Sequence, residues 1–176
     1  MAAVGSIGVF PGTFNPVTVG HLAIADAAHE ALGLDRLDLV LSEAPLNKHD
    51  QPDLVPLAQR VAVVELALGD RPWATVRITP HQLIADIARG YDVVVLGADK
   101  WVQVNDPAFY GGDPATRDAA VASLPRCAVA PRHGLCVPAH LVLDVPEWVS
   151  EVSSTAVRHG RTDWHGATGD QRATNQ

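Results

Sequence analysis

Short β-branched runs alternate with longer segments of helical periodicity along most of the chain. Residues 92–96, Asp-Val-Val-Val-Leu, form a continuous apolar run typical of a strand that is buried on both faces. Residues 19–32 and 57–68 are rich in alanine and leucine and are followed by Gly33 and Gly69, as helices commonly are. The pattern predicts strands at 4–10, 37–41, 74–79, 92–96, 126–130 and 140–145, and helices at 19–32, 57–68, 81–89, 114–124 and 153–159.

This alternation favours an α/β fold with a doubly wound, Rossmann-like parallel sheet. The 176 residues suffice for a single domain with a substantial core. We expect that domain to span residues 1–160. Residues 161–176 are polar, with Trp164 as their only large apolar side chain, and predict a mostly disordered tail.

The composition and charge of the chain exclude some classes of binding partner and indicate its environment. The formal net charge of −7 and the pI near 5.5 argue against a general nucleic-acid or membrane-surface binder, which would carry a basic face. Cys127 and Cys136 form no zinc pattern and are expected to be reduced thiols. With no long apolar run and no basic leader, the expected location is the cytoplasm. A homo-oligomer is compatible with the sequence.

The turn between the first predicted strand and the first predicted helix is suited to an anion. Residues 8–21 contain glycines that let the backbone approach a ligand closely. The helix that follows directs unpaired N–H groups and a partial positive charge at the same place. In a doubly wound sheet this turn, and the segment after residue 96, lie at the edge where ligands bind. The arrangement predicts a phosphate site.

Two segments resemble the signatures of the nucleotidyltransferase superfamily. Residues 12–16 and 18–21, Gly-Thr-Phe-Asn-Pro and Thr-Val-Gly-His, are similar to its (H/T)xGH motif. Residues 152–158, Val-Ser-Ser-Thr-Ala-Val-Arg, are similar to its second motif, (I/V)SS(T/S)xxR. The motifs occur in the expected order, and the resemblance covers residues 4–160. It implies the nucleotidyltransferase type of Rossmann-like fold and transfer of a nucleotidyl group to a phosphate.

The resemblance also implies roles for individual residues. His21, Thr18, Lys48 and Arg158 are the catalytic candidates, and Thr18 stands where many members have a first histidine. A threonine hydroxyl can donate a hydrogen bond to a phosphate but carries no charge. The candidates for binding the nucleotide are Phe10, Gly12, Thr13, Phe14, Gly20, His21, Gly97, Asp99, Ser153, Ser154, Thr155 and Arg158.

The acceptor site is predicted from the same resemblance. Thr13, Lys48 and Trp101 are its candidates, with Trp101 stacking on a planar ring. Phe109 and Tyr110 are rival stacking residues, while His49, Arg132 and His133 are weaker candidates. No cluster has the spacing of a tight metal site, so Mg²⁺ is expected to arrive with ATP.

The preferred activity is adenylyl transfer from ATP to nicotinate or nicotinamide mononucleotide. Three features resemble the adenylyltransferases of the NAD pathway and favour this acceptor: the form of residues 12–16, the Gly97-x-Asp99 segment and Pro131-Arg132-x-Gly134. Thr18 favours phosphopantetheine instead, and an acceptor outside both groups is a further alternative. A non-catalytic nucleotide sensor is the alternative from another class.

Overall fold

The computed structural model describes residues 5–46 and 52–167. Its centre is a five-stranded parallel sheet in the order β3-β2-β1-β4-β5. The strands are β1 (Ile7–Pro11), β2 (Arg36–Ser42), β3 (Ala74–Thr79), β4 (Val93–Gly97) and β5 (Arg126–Ala130). Strand order reverses between β1 and β4, which places a crevice at their carboxyl ends. The predicted doubly wound sheet is confirmed.

Helices cover both faces of the sheet. They are α1 (Val19–Leu32), α2 (Leu57–Leu68), α3 (Ile84–Ile87), α4 (Ala98–Asn105), α5 (Pro114–Ala122) and α6 (Ser154–Arg158). Helices α1 and α2 pack on one face, and α3, α4 and α5 on the other. Short 3₁₀ helices occur at Pro107–Tyr110, Ala139–Leu141, Glu147–Glu151 and Thr162–Trp164. Within the described ranges, no helix is long and apolar enough to cross a membrane.

Strand β2 shows how the sheet divides the core. Leu37, Leu39 and Leu41 are fully buried against the face covered by α1 and α2. Val40 points to the opposite face and packs in the second cluster. Side chains of a strand alternate between faces, so a strand with apolar residues on both must lie inside the fold.

Local signals fixed several helix ends as predicted. Helix α1 begins with a capping box, in which the side chain of Thr18 accepts from the His21 N–H. It ends at Gly33, whose left-handed φ of 61° is accessible to glycine without a side-chain penalty. Asp113 caps α5 by accepting from the N–H groups of Ala115 and Thr116.

Two predicted elements differ from the structure, and one helix was not predicted. The helix predicted at 81–89 is reduced to α3, because the Thr79 hydroxyl accepts from the His81 N–H in a turn and caps no helix. The strand predicted at 140–145 is a 3₁₀ turn followed by a single bridge from Val142 to Val129. Helix α4 was not predicted, since its N-cap Gly97 provides no side-chain cap.

The chain after α6 continues with the short 3₁₀ helix at Thr162–Trp164. Trp164 is buried against Val152 and Val157 in what we call the C-terminal cluster. The backbone of His165 bridges that of Thr18, and Gly166 N–H donates to Val17 O at 3.0 Å. The segment therefore supports the turn before α1. Residues 168–176 lie outside the described residues.

A buried carboxylate lies in the sheet away from its carboxyl edge. Asp38 is fully buried on β2 and pairs with Arg36 and Arg77 at 2.9 and 2.8 Å. It also accepts hydrogen bonds from Thr75 and from the Tyr91 hydroxyl. Burial, and then the hydrogen bond to Asp38, raise the pKa of Tyr91 to about 12.

Candidate active site

A groove of about 740 Å³ opens where the carboxyl ends of β1, β4 and β5 meet the N-termini of α1, α4 and α6. Helix N-termini leave unpaired N–H groups and a partial positive charge, which suits an anion. Thr18 and all the predicted nucleotide-binding residues line this groove: Phe10, Gly12, Thr13, Phe14, Gly20, His21, Gly97, Asp99, Ser153, Ser154, Thr155 and Arg158.

The ring of His21 is held by its own helix cap. The backbone N–H of Thr18 donates to His21 Nδ1 at 3.0 Å, and Thr18 Oγ1 lies 2.8 Å from the same nitrogen. Nδ1 therefore acts as an acceptor, which places the proton of the neutral ring on Nε2. Thr18 is 1% exposed, and it both contacts the His21 ring and caps α1.

Two phenylalanine rings support His21 from the apolar side. The centroid of Phe14 lies 5.1 Å from that of His21 in an edge-on arrangement, and the centroid of Phe10 lies 6.1 Å away. Phe14 is 2% exposed and adopts a positive φ of 47°. Gly12 faces this ring so closely that it has no room for a side chain. The turn thus fixes the histidine on three sides.

The second motif joins the first through side-chain to backbone bonds. Ser154 Oγ donates to Pro16 O at 2.7 Å, and Ser153 caps α6 by accepting from the Ala156 N–H. The Arg158 guanidinium donates to Asn15 O and forms an ion pair with Asp53. Arg158 therefore connects the two motifs and also has a carboxylate partner, Asp53. The spacing of residues in the second motif does not predict this ion pair.

Arg60 is a site-supporting residue that the sequence reasoning missed. It is 3% exposed on α2, where it donates to Thr13 O and to Val55 O, both at 2.8 Å. The side chain of Asn15 connects the same turn to the segment before α2: it accepts from the Val55 N–H and donates to Asp53 O. Burial lowers the pKa of Arg60 from its ordinary value. A single arginine within the apolar sequence of residues 57–68 was the available signal.

The remaining predicted residues lie in different places. Arg132 lines the groove and pairs with Asp99 at its rim, whereas His133 is exposed outside it. Trp101 lines no part of the groove, because α4 directs it into the apolar cluster beneath the sheet. Lys48 and His49 lie outside the described residues.

A second cavity of about 50 Å³ adjoins the groove. Thr13, a predicted acceptor residue, lines both spaces, as do Gly12 and Lys100. Phe109 and Tyr110, the rivals of Trp101, line the small cavity, whereas Trp101 does not. The aromatic wall beside the groove is therefore built from the 3₁₀ helix at Pro107–Tyr110.

Side chains that bind metals do not converge in the described part of the chain: it contains no group of three or more His, Cys, Asp or Glu residues placed to hold an ion. Asp99 is the carboxylate that lines the groove among these residues, and Arg132 pairs with it.

Residues 9–160 match the model of a family described as cytidylyltransferase-like. A Dehalococcoides mccartyi protein named "Probable nicotinate-nucleotide adenylyltransferase" is 36% identical over 66 residues, which are 38% of this chain and 32% of that protein. A Bordetella pertussis protein of the same name is 38% identical over 69 residues, 39% of this chain and 34% of that protein. The aligned part thus spans about a third of the length of these curated relatives.

A solved structure supports the fold over a longer stretch. Plasmodium falciparum nicotinic acid mononucleotide adenylyltransferase, in complex with APC, aligns with a TM-score of 0.60 over 88% of this chain and 83% of that one. The sequences are 13% identical, so the likeness concerns the α/β architecture.

Proposed function

Because the chain belongs to the cytidylyltransferase-like family, we propose that it transfers the adenylyl group of ATP to nicotinate or nicotinamide mononucleotide and releases pyrophosphate. The observation that carries this proposal is the convergence of both motifs on one groove, tied together by Ser154 and Arg158. The names of the relatives, together with Gly97-x-Asp99 and the position of Arg132, support the choice of acceptor.

The reaction needs no nucleophile from the protein. A phosphate oxygen of the acceptor attacks the α-phosphorus of ATP and forms the new P–O bond. The bond between the α-phosphorus and the α,β-bridging oxygen breaks, and pyrophosphate leaves with its electron pair. The protein therefore acts by positioning two anions and by stabilising the charge that develops on the transferring group.

We assign to His21 the stabilisation of the charge that develops on the transferring group. With Nδ1 accepting from Thr18, the Nε2–H of His21 would donate to an oxygen of the α-phosphate. The N-terminus of α1 adds backbone N–H groups at the same place. Arg158 and the start of α6 would hold the β- and γ-phosphates, since a guanidinium can bind two phosphate oxygens at once.

Magnesium fits this groove as a companion of the triphosphate. The groove carboxylate, Asp99, is engaged by Arg132, so most of the ligands would be phosphate oxygens and water. The ion would neutralise charge on the phosphates, and the residues of this chain would orient them.

Pyrophosphate release tests the proposal directly. ATP or CTP with Mg²⁺ is paired with nicotinate mononucleotide, nicotinamide mononucleotide, phosphopantetheine and glycerol 3-phosphate. We expect a signal with ATP and a mononucleotide, and a drop in kcat of roughly 10²–10³-fold in His21→Ala. His140→Ala is the matched control, because His140 is exposed and lines neither cavity.

The other outcomes separate the alternatives. Turnover of phosphopantetheine alone would replace the proposed acceptor while retaining the reaction. ATP binding without pyrophosphate release, across an extended set of phosphomonoesters, would favour a nucleotide sensor. An unchanged kcat in His21→Ala would remove His21 from the mechanism.

A further inference from the structure

The chain after α6 passes against the turn that precedes α1. We call residues 161–167 the strap. Its backbone bridges that of the turn where His165 lies antiparallel to Thr18. Beside this bridge, the Gly166 N–H donates to Val17 O at 3.0 Å. Val17 and Thr18 are 0% and 1% exposed and Gly166 is buried, so this hydrogen bond lies out of contact with water.

One peptide group joins this hydrogen bond to the histidine of the first motif. The oxygen of the peptide between Val17 and Thr18 accepts from Gly166. The N–H of the same peptide donates to His21 Nδ1 at 3.0 Å. The two bonds form a chain that runs from the strap through one planar amide to the imidazole ring. Hydrogen bonds in such a chain polarise one another, which strengthens the bond to His21.

This chain determines which nitrogen of His21 carries the proton. A nitrogen that accepts a hydrogen bond holds no proton of its own, so the neutral ring is protonated at Nε2. The Thr18 hydroxyl lies 2.8 Å from Nδ1 as well, and its position depends on the same backbone. A shift of the amide would therefore turn the ring and weaken the preference for this tautomer.

The strap is anchored on the second motif. Trp164 is 9% exposed and packs against Val152 and Val157, two residues of that motif. The guanidinium carbon of Arg161 lies 3.8 Å from the centroid of the Trp164 ring, in a cation–π contact. Val19, the first residue of α1, packs against the same cluster. The strap therefore has a fixed position relative to both motifs.

The absence of a side chain at Gly166 permits the close approach of strap and turn. A β-carbon built there lies 3.2 Å from Val17 Cγ1 and 3.3 Å from both Val17 C and Val17 O. The last two atoms belong to the amide that holds His21. Because carbon atoms in ordinary contact are about 3.5–4.0 Å apart, even a methyl group at residue 166 pushes on that amide by roughly a few tenths of an ångström.

On the basis of the proposed function, we propose that Gly166 is a positioning residue for adenylyl transfer. Through the amide between Val17 and Thr18 it holds the His21 ring with its Nε2–H directed at the α-phosphate. A ring that is turned donates at a poor angle, and hydrogen bonds weaken steeply with poor alignment. The contribution is to kcat and not to nucleotide binding, because His21 acts on charge that develops in the transition state.

A graded series at residue 166 tests this role by pyrophosphate release. A displacement of about 1 Å at an active site costs about 10²-fold in turnover. We expect Gly166→Ala, with its smaller shift, to lower kcat about 3- to 5-fold, and the bulkier Gly166→Val to lower it roughly 10²-fold. The ATP KM should not change. Thr162→Ala, an exposed change on the same strap, is the matched control.

A double-mutant cycle separates positioning from general damage. If Gly166 acts through His21, adding Gly166→Val to His21→Ala should lower kcat no further. Multiplied losses, or a wild-type kcat in both Gly166 variants, would overturn the inference. Circular dichroism establishes that each variant is folded at the assay temperature, and the cycle is run with Gly166→Ala if Gly166→Val does not fold.

The imidazole ring provides a readout that does not require turnover. In protein labelled at the histidine nitrogens with an NMR-active isotope, the two ring nitrogens differ in chemical shift according to which one carries the proton. Loss of signals in His21→Ala identifies those of His21. Above about pH 8, where an unperturbed histidine is neutral, we expect the Nε2–H tautomer in the wild type and a mixture of tautomers in Gly166→Val.

This measurement distinguishes failure of the inference from failure of the proposed function. A changed tautomer in Gly166→Val, in a protein that releases no pyrophosphate with any acceptor, would support the positioning role although the reaction was wrong. An unaltered His21 tautomer in Gly166→Val would overturn the positioning role and leave the proposed function intact.

Discussion

Gly12 is the position where one added methyl group should damage both stability and catalysis. A β-carbon built there lies 2.5, 2.7 and 2.8 Å from three ring atoms of Phe14. Carbon atoms in ordinary contact are about 3.5–4.0 Å apart, so the ring has to retreat by about 1 Å. Phe14 is buried between Phe10 and His21, with centroids at 5.6 and 5.1 Å, and therefore cannot move without displacing a neighbour.

The expected magnitudes follow from that displacement. Overpacking of a well-packed core costs about 1–3 kcal/mol, which lowers the Tm of a chain of this size by roughly 2–12 °C. A shift of about 1 Å at an active site can reduce turnover about 10²-fold. We therefore expect Gly12→Ala to lower both the Tm, measured by circular dichroism, and kcat, measured by pyrophosphate release.

Two further variants test whether the Phe14 ring is the obstacle to a side chain at residue 12. In Gly97→Ala the new β-carbon meets nothing within 4 Å, so its Tm should match the wild type. Combining Gly12→Ala with Phe14→Leu should cost less than the sum of the single changes, because the smaller side chain relieves the clash. A wild-type Tm and kcat in Gly12→Ala, or strict additivity in the double variant, would show that the ring is not the obstacle.

Four further changes address other parts of the molecule. Arg158→Ala should raise the ATP KM, with only partial rescue in Arg158→Lys, because the lysine lacks the two-pronged guanidinium; equal KM values for both variants and the wild type would argue against a phosphate contact. Asp53→Asn should lower the ATP KM by at most about fivefold, the range of an exposed ion pair, by removing the carboxylate that competes for Arg158. The free energy of unfolding should fall as pH rises from 10 to about 12, because the pKa of Tyr91 is lower in the unfolded chain than in the folded one. Tyr91→Phe should remove this fall when the free energy of unfolding is measured with urea across that pH range. Trp164→Ala should cost about 3–5 kcal/mol by emptying the C-terminal cluster, and an unchanged Tm would mean that the segment is dispensable.

The fold was predictable where local chemistry and hydrophobic pattern agreed. Helix α1 has both an apolar face and explicit ends at Thr18 and Gly33, and its bounds are as predicted. Strand β4 is short, β-branched and buried throughout, which permits few alternatives. The five strands of the sheet could therefore be located before their order was known.

Local sequence signals were insufficient where tertiary contacts decide the conformation. Residues 140–145 have the composition of a strand, yet the sheet ends at β5 and offers them one bridge, from Val129 to Val142. Trp101 packs against the second apolar cluster from α4, a helix that the sequence did not predict. Trp164 looked like an isolated apolar residue, because its partners Val152 and Val157 become its neighbours only after folding.

In the candidate site, too, local features could be predicted from the sequence and tertiary contacts could not. The motifs identified the residues that line the groove, since backbone turns and helix starts leave local signals in a sequence. The contacts that hold those turns in place come from distant positions: Arg60 on α2 and Gly166 after α6.

Thr18 links the helix cap to the electrostatics of the proposed reaction. It orients His21 through its N–H and hydroxyl but adds no charge, so the cationic contribution must come from other groove residues. Among the described residues, Arg132 and Arg158 line the groove already paired with Asp99 and Asp53. Lys100 also lines the groove, with its amine donating to Gln103. A substrate phosphate that binds either arginine has to compete with the carboxylate of that arginine, which makes its binding energy depend on a balance between anions. If the proposed function is correct, such a site should bind its nucleotide moderately and release pyrophosphate readily, because the carboxylates can pair with each arginine again as the product leaves.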